Sequence, residues 1–215
     1  MSESKKYYSP EEALKLVVES ASAKFVESVD VDIMTEADST SPVRGLAQLP
    51  CGTGKKVKIA VFAEGDDAKQ AKSVGADVVG LDDLISEVSS GRIDFDVCLC
   101  VPSALPRLAK IAKVLGPRGL MPSVKSGTVS EDIAQSVKNF KGGQVQFRSD
   151  KSGIVHAKLG NVSFPAENLV KNLTALLSAV MQLKPSDFKK QYIKSVYVSS
   201  TMGRSYRLDY SNLLQ

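Results

Sequence analysis

No apolar run in this 215-residue chain reaches the roughly 18 residues needed to span a bilayer, and its first residues lack the basic-then-apolar pattern of a secretory signal. Neither a membrane role nor export is expected. Cysteine is scarce: Cys51, Cys98 and Cys100 are too few and too clustered for a disulfide framework, which points to a reducing compartment. Cys98 and Cys100 fall on one face of a strand that reads as buried, and no second pair exists to complete a zinc site, so both are expected in a core. Histidine is scarcer still. His156 stands alone, with no cysteine or acidic pair beside it in sequence to make it a base or a ligand, and reads as structural. Also missing is a working phosphate loop. GTGK at Gly52 to Lys55 has Leu49 where the motif needs a glycine and Lys56 where it needs Ser or Thr, and it leads into a strand instead of a helix. No GxGxxG follows the first buried strand either. No catalytic residue, metal or cofactor is expected.

What is present is ordinary for a globular protein, 43% hydrophobic and 24% charged, but the net charge of +4 conceals a polarity. Residues 1 to 100 carry 11 Lys and Arg against 18 Asp and Glu, whereas residues 101 to 215 carry 17 against 6. Surfaces built from the second half therefore suit a polyanionic partner.

Taken in order, residues 1 to 8 are polar and read as loose. Ser9, Pro10 and Glu12 form a helix start with a capping box, followed by the stripe Ala13, Leu14, Val17, Val18 and Ala21. KFVESVDVDIM reads as an amphipathic strand, with Phe25, Val29, Val31 and Ile33 toward a core and Ser28, Asp30 and Asp32 outward. A polar stretch from Thr35 to Pro42 leads to a strand at Val43 to Leu49. Beyond Gly52 to Gly54 the pattern changes to alternating strands and helices: Val57 to Ala63, Asp66 to Val74, Asp77 to Gly80, Leu81 to Val88, Phe95 to Val101 and Ala104 to Leu115. That alternation predicts a small parallel sheet covered by helices. A last helix, Ser130 to Phe140, ends at Gly142 and Gly143. Then Gln144 to Arg148 and Ile154 to Leu159 read as a hairpin around SDKSG, and Pro165 to Leu183 as a long helix. The expected fold is α/β with two domains. An α+β domain formed by both chain ends, 1–52 and 144–215, accepts an inserted Rossmann-like βαβ domain, 53–143. Gly52, Gly54, Gly142 and Gly143 are candidate hinges at the two crossings.

Two loops stand out. IKSVYVSSTMG, Ile193 to Gly203, is a strand that ends in small hydroxyls, a thioether and a glycine, framed by Lys194, Arg204 and Arg207. Such a surface is shallow and uncharged, and a backbone or sugar can approach it closely. GPRGLMP, Gly116 to Pro122, is stiffened by two prolines and shaped by two glycines, with Lys113, Arg118 and Lys125 around it. It suits either a phosphate or the seating of one domain on the other.

KFVESVDVDI, VRGLAQLPCGTGKKVKIAVFAEG, DFDV, VLGPRGLMP, SGTV, GQVQFRSDKSGIVHAKLG and IKSVYVSSTMG together resemble the bacterial-type ribosomal protein L-one family, the universal large-subunit stalk protein. The resemblance runs from about Tyr8 to Gly203 in one order. It implies a non-enzymatic constituent of the large ribosomal subunit, in a bacterial cytoplasm or an organelle matrix, and a monomer within the ribosome. It implies as partners the rRNA stalk, exit-site tRNA whose release it assists, and, in bacteria, the protein's own mRNA, whose translation it represses. By motif it carries RNA binding onto Lys24, Phe25, Ser28, Asp30, Ser200, Thr201, Met202 and Gly203. It leaves Lys113, Gly116, Arg118 and Gly119 as a secondary or interdomain contact. The chain departs from the family in Ser123 and Val124 after GLMP, in Arg204, and in Glu36 and Asp38 after a shortened loop. A small α/β enzyme holding a nucleotide in the inserted domain is the rival reading, and the failed phosphate loop and lone histidine speak against it.

Overall fold

The structure, a computed structural model, describes residues 7–36, 43–184 and 191–213. The stretches expected to be polar at 1–6 and 37–42, with Asp38, lie outside the described residues. The chain divides into two compact units, Met1–Lys55 with Gly143–Gln215, and Lys56–Gly142.

The first unit is an antiparallel sheet of six strands in the order β2-β6-β7-β1-β8-β9. Its strands are β1 (Ser28–Thr35), β2 (Arg44–Gln48), β6 (Gln144–Ser149), β7 (Ile154–Asn161), β8 (Ile193–Ser200) and β9 (Tyr206–Leu208). Helix α1 (Pro10–Ser20) starts where the sequence puts it: the Ser9 hydroxyl accepts from the Glu12 N–H at 3.3 Å while the Glu12 carboxylate accepts from the Ser9 N–H at 3.4 Å. Ala13, Leu14 and Val17 of α1 and Leu169, Leu173, Leu176, Leu177 and Val180 of α7 (Ala166–Gln182) are buried against the sheet face that carries Val29, Val31, Ile33, Val196 and Val198. Alternation at period two puts the polar residues of the same strands on the other face.

Asn172 breaks the apolar face of α7 yet is fully buried, because it works as a clamp. Its carbonyl accepts from the Cys51 N–H at 3.0 Å, and its amide donates to the carbonyls of Gly52 at 2.9 Å and Leu159 at 2.7 Å. Three backbone groups that burial would otherwise leave unpaired are satisfied by one side chain.

The second unit holds a three-stranded parallel sheet, β4-β3-β5, from β3 (Ile59–Phe62), β4 (Val78–Gly80) and β5 (Val97–Cys100). It is accompanied by α2 (Gly65–Ser73), α3 (Asp82–Ser89), α4 (Leu105–Leu108), α5 (Ala112–Leu115) and α6 (Ile133–Lys141). All four residues of β3 are buried, as an apolar run enclosed on both faces requires. Cys98 and Cys100 sit in this core, where burial pushes the Cys98 thiol well up and the Cys100 thiol to about 11. Both thiols stay protonated and inert.

Three expectations are corrected. Phe25 does not face the core: the strand begins at Ser28, Phe25 is 56% exposed, and Glu27 takes the buried position. The single helix expected over Ala104 to Leu115 is α4 and α5 joined by the 3-10 turn Ala109–Ile111, with another, Pro102–Ala104, before them. Pro106, which has no N–H to donate, accounts for the first irregularity, and nothing in the structure accounts for the second. Tyr7 and Tyr8 are not loose, since the Tyr8 N–H donates to the Arg207 carbonyl at 3.0 Å and its carbonyl accepts from Asp209 at 2.9 Å. The fold brings to His156 acids that its sequence neighbourhood lacks. Its Nδ1 lies 2.6 Å from Asp32 and its Nε2 3.9 Å from Asp150.

Candidate nucleic-acid interface

The site forms where the start of β1 meets the end of β8. Register pairs Val29 with Ser200 and Asp30 with Ser199, so the loop before β1 and the turn after β8 emerge side by side. Beyond the last ladder pair, Ser28 and Thr201 continue the junction by themselves. The Thr201 N–H donates to the Ser28 carbonyl at 3.2 Å, the Ser28 N–H donates to Thr201 Oγ1 at 3.0 Å, and the two hydroxyls lie 2.9 Å apart. The Ser28 hydroxyl also donates to Asp30 Oδ2 at 2.9 Å. Asp30 faces Lys158 of β7 across the ladder, and burial lowers the Lys158 pKa while the Asp30 charge opposes that shift.

Beneath this surface lies Glu27, only 2% exposed. Its carboxylate accepts from the Ala23 N–H at 2.9 Å and from the Met202 N–H at 3.0 Å, tying the α1–β1 loop to the β8–β9 turn. The backbone hydrogen bonds from Met202 and then Ala23, with the nearby Ser200 hydroxyl, hold its pKa below the ordinary value against the opposing effect of burial. The sequence did carry a signal for Glu27, a charge on the same parity as Val29, Val31 and Ile33.

Gly203 closes the turn, its N–H donating to the Ser200 carbonyl at 3.2 Å. A Cβ at this position would lie 2.3 Å from Ser200 Oγ, and Ser200 is itself buried. The candidate residues thus divide by placement. Lys24, Phe25, Thr201, Met202 and Gly203 are exposed, with Phe25 at 56% and Met202 at 73%. Ser28 and Asp30 are half-buried, whereas Ser200, 3% exposed, supports the turn from below. Lys158 and Glu27 are additions that the sequence reading missed.

Lys113, Gly116, Arg118 and Gly119 belong to the other unit and form a separate exposed cluster at the end of α5. Gly119, at φ +72°, donates to the Gly116 carbonyl at 3.0 Å, and Leu120 donates back to Leu115 at 3.1 Å, so the loop is a closed turn. After it, the Ser126 hydroxyl lies 2.6 Å from that of Ser123 and 3.0 Å from that of Thr128, a hydroxyl knot that ties the three residues together. At the carboxyl ends of β3 and β4, where a nucleotide would lie in this fold class, Arg107 binds Glu64 at 2.7 Å and Asp82 at 3.4 Å. Asp66 and Asp67 occupy the first turn of α2. That edge repels phosphate. Among the described residues no helix is long and apolar enough to cross a membrane, and no cluster of His, Cys, Asp and Glu is placed to hold a metal ion.

Comparison with known proteins adds a different kind of observation. The profile of the Ribosomal protein L1p/L10e family matches residues 17–204. The chain is similar to large ribosomal subunit protein uL1 of Polynucleobacter necessarius, 51% identical over 97% of this chain and 91% of that protein. It is likewise similar to the uL1 proteins of Ralstonia pickettii, 50% identical over 97% and 91%, and Anaplasma marginale, 50% identical over 94% of each. With the family profile matched over residues 17–204 and half-identical relatives matched over nearly their whole length, the chain belongs to the ribosomal protein L1p/L10e family, whose members are structural components of the large ribosomal subunit and not enzymes.

Proposed function

We propose that this chain is a structural protein of the large ribosomal subunit that binds the rRNA of the mobile stalk beside the tRNA exit site through the Ser28–Thr201 junction. The observation that carries this is the junction itself: two exposed apolar side chains, Phe25 and Met202, flank hydroxyls held in place by 2.9–3.2 Å hydrogen bonds, with Lys24 alongside. Folded RNA presents 2′-hydroxyls, phosphates and unstacked bases, and this surface offers a fitting partner for each. Phe25 and Met202 meet a ribose or base, Thr201 and the Gly203 backbone meet 2′-hydroxyls, and Lys24 neutralises phosphate. Asp30 adds no affinity for a polyanion in general. Its free oxygen, Oδ1, accepts from a guanine N–H or a ribose hydroxyl and so specifies structure.

The same surface would hold a similar fold in the protein's own mRNA, and stalk placement would bring it to the deacylated tRNA. The second unit acts as a separately folding domain that contributes a secondary contact through Lys113, Gly116, Arg118 and Gly119. The test is the affinity of the full chain for the stalk segment of large-subunit rRNA against a scrambled RNA of equal length and charge. Specific binding at least a hundredfold tighter than to the scrambled RNA is expected. Equal affinity for the two would refute the proposal.

A further inference from the structure

Helices α1 and α7 of the first unit pack on one face of its sheet, and among the described residues of that unit no α-helix packs on the opposite face. Register lines up one residue from every strand on that open face: Arg44 opposite Arg148, Arg148 opposite His156, His156 opposite Asp32, Asp32 opposite Tyr197, and Tyr197 opposite Arg207. The neighbours on either side of each inner member point to the core, as with Val31 and Ile33 about Asp32 or Val196 and Val198 about Tyr197. Direct contacts show the shared face as well. His156 touches Asp32, and the Arg207 guanidinium lies 5.9 Å from the Tyr197 ring centroid on one side and 4.5 Å from that of Tyr7 on the other.

Two properties of this row call for a ligand. Arg44 and Arg148 face each other directly, which costs a sheet stability, and neither guanidinium is within ion-pair distance of a described carboxylate. An anion laid between them would remove the penalty. Secondly, two planar rings, His156 and Tyr197, flank Asp32 in the middle of the row, with Arg207 stacked beyond. Rings on an open sheet bordered by guanidiniums can stack bases and neutralise the phosphates between them. Five strand-to-strand steps of about 4.8 Å make the row about 24 Å long, room for a handful of nucleotides. An acidic peptide would satisfy the arginines but would leave the rings unused. An RNA duplex, with its bases stacked inside, has no face to lay on them. The row is also continuous with the interface above, because Ser28, Asp30 and Asp32 follow one another on the same face of β1.

We infer that the helix-free face of this sheet is a second RNA contact, which takes a single-stranded segment across Arg44, Arg148, His156, Tyr197 and Arg207. It rests on the reading of this unit as RNA-binding, and it adds a substrate class, unpaired RNA, to the folded RNA of the Ser28–Thr201 junction.

The probe is a fluorescently labelled oligouridylate twelve nucleotides long, titrated against the full chain at two salt concentrations. Because the sequence contains no tryptophan, Tyr197→Trp gives a lone reporter whose emission is quenched when a base stacks on it. The expected result is quenching on binding, at least a tenfold weaker affinity for Arg44→Ala/Arg148→Ala, and a salt slope lower by about 1.4 for two lost phosphate contacts. The melting temperature of that double variant should be equal or higher, since a like-charge pair is removed. Three results would overturn the inference: no oligouridylate binding by the parent chain, undiminished binding by the arginine variant, or displacement by polyglutamate as effective as by unlabelled oligouridylate. Loss of stalk-rRNA specificity with oligouridylate binding intact would remove the proposed function alone, and the converse would remove only this inference.

Discussion

Glu27 is a carboxylate in a place where alternation demands a core residue, and the two backbone N–H groups it accepts from explain why it is tolerated there. Its folded pKa lies below its ordinary value, so the carboxylate contributes stability that is present above the ordinary range of about 4.5 and is lost as pH falls through the lower folded value. Glu27→Gln should therefore lower the melting temperature near neutrality and flatten its decline in acid, as read by thermal melts between about pH 3 and pH 7. A parallel decline in both proteins would show that Glu27 is not linked to folding. Lys24 and Asp30 should separate affinity from specificity. Lys24→Ala is expected to weaken binding to every RNA alike and to reduce the salt slope by about 0.7 to 0.9. Asp30→Ala should cost about 1–3 kcal/mol on the stalk RNA while easing repulsion with unrelated RNA. Titrations of both RNAs at two salt concentrations decide this, and an Asp30→Ala chain that binds the stalk RNA as tightly as the parent would end the acceptor role. Thr201→Val is a poorer probe than the sequence suggests. It takes away the acceptor of the Ser28 N–H as well as the hydroxyl proposed to meet RNA.

At the scale of elements, the turn between β8 and β9 depends on a glycine for room. Gly203→Ala sets a methyl 2.3 Å from Ser200 Oγ, so the buried hydroxyl or the turn must move, for about 1–3 kcal/mol of stability and a loss of RNA affinity with it. Ser200→Ala in the same chain leaves Ser200 Cβ at 3.5 Å and Ser20 Oγ at 3.8 Å, both ordinary contacts, and should restore the melting temperature; a double variant as unstable as Gly203→Ala would refute the clash. Long periodic elements could be read from sequence because their pattern is local: the capping box of α1, the apolar stripe of α7, the alternation in β1 and β8. What escaped depended on distant partners. β9 is three residues long, too short to show a period, and exists because β8 pairs with it. Alternation puts Phe25 in the core because it registers hydrophobicity, and it flags Glu27 by parity alone, without the backbone N–H groups that satisfy its carboxylate. The acid beside His156 lies 124 residues away in sequence, and Ser28 and Thr201 are 173 apart. No spacing rule reaches so far, which is why family resemblance, and not periodicity, singled out the candidate residues.

For the whole molecule, the two crossings bear on how the parts behave. At the first, Asn172 and Asn161 hold the glycines: Asn172 binds Gly52, and the Asn161 amide donates to the Gly54 carbonyl at 3.2 Å. At the second, Gly143, at φ +97°, packs so close to Gly52 that an added Cβ would sit 2.7 Å from the Gly52 Cα. Rotation between the units is then expected to arise just beyond these fixed glycines, near residues 55–56 and 142. Labels on the two units should give a broad distance distribution by pulsed electron resonance, and a single narrow one unchanged by RNA would contradict it. The closeness of the crossings has a practical counterpart. Replacing 56–142 by a short linker should leave a folded first unit with most of the stalk-rRNA affinity, and a folded product without specific binding would move the site elsewhere. The pairing of β1 carries a consequence for the order of synthesis. β1 is a central strand whose two neighbours, β7 and β8, are translated more than a hundred residues after it. At about 5–20 residues per second, it waits roughly 10–30 s for the last of them, while the parallel sheet between them can already close on local contacts. A nascent chain halted before Thr201 thus has every residue of the early strand and no junction. The Ser28–Thr201 junction waits for β8 however early β1 is made.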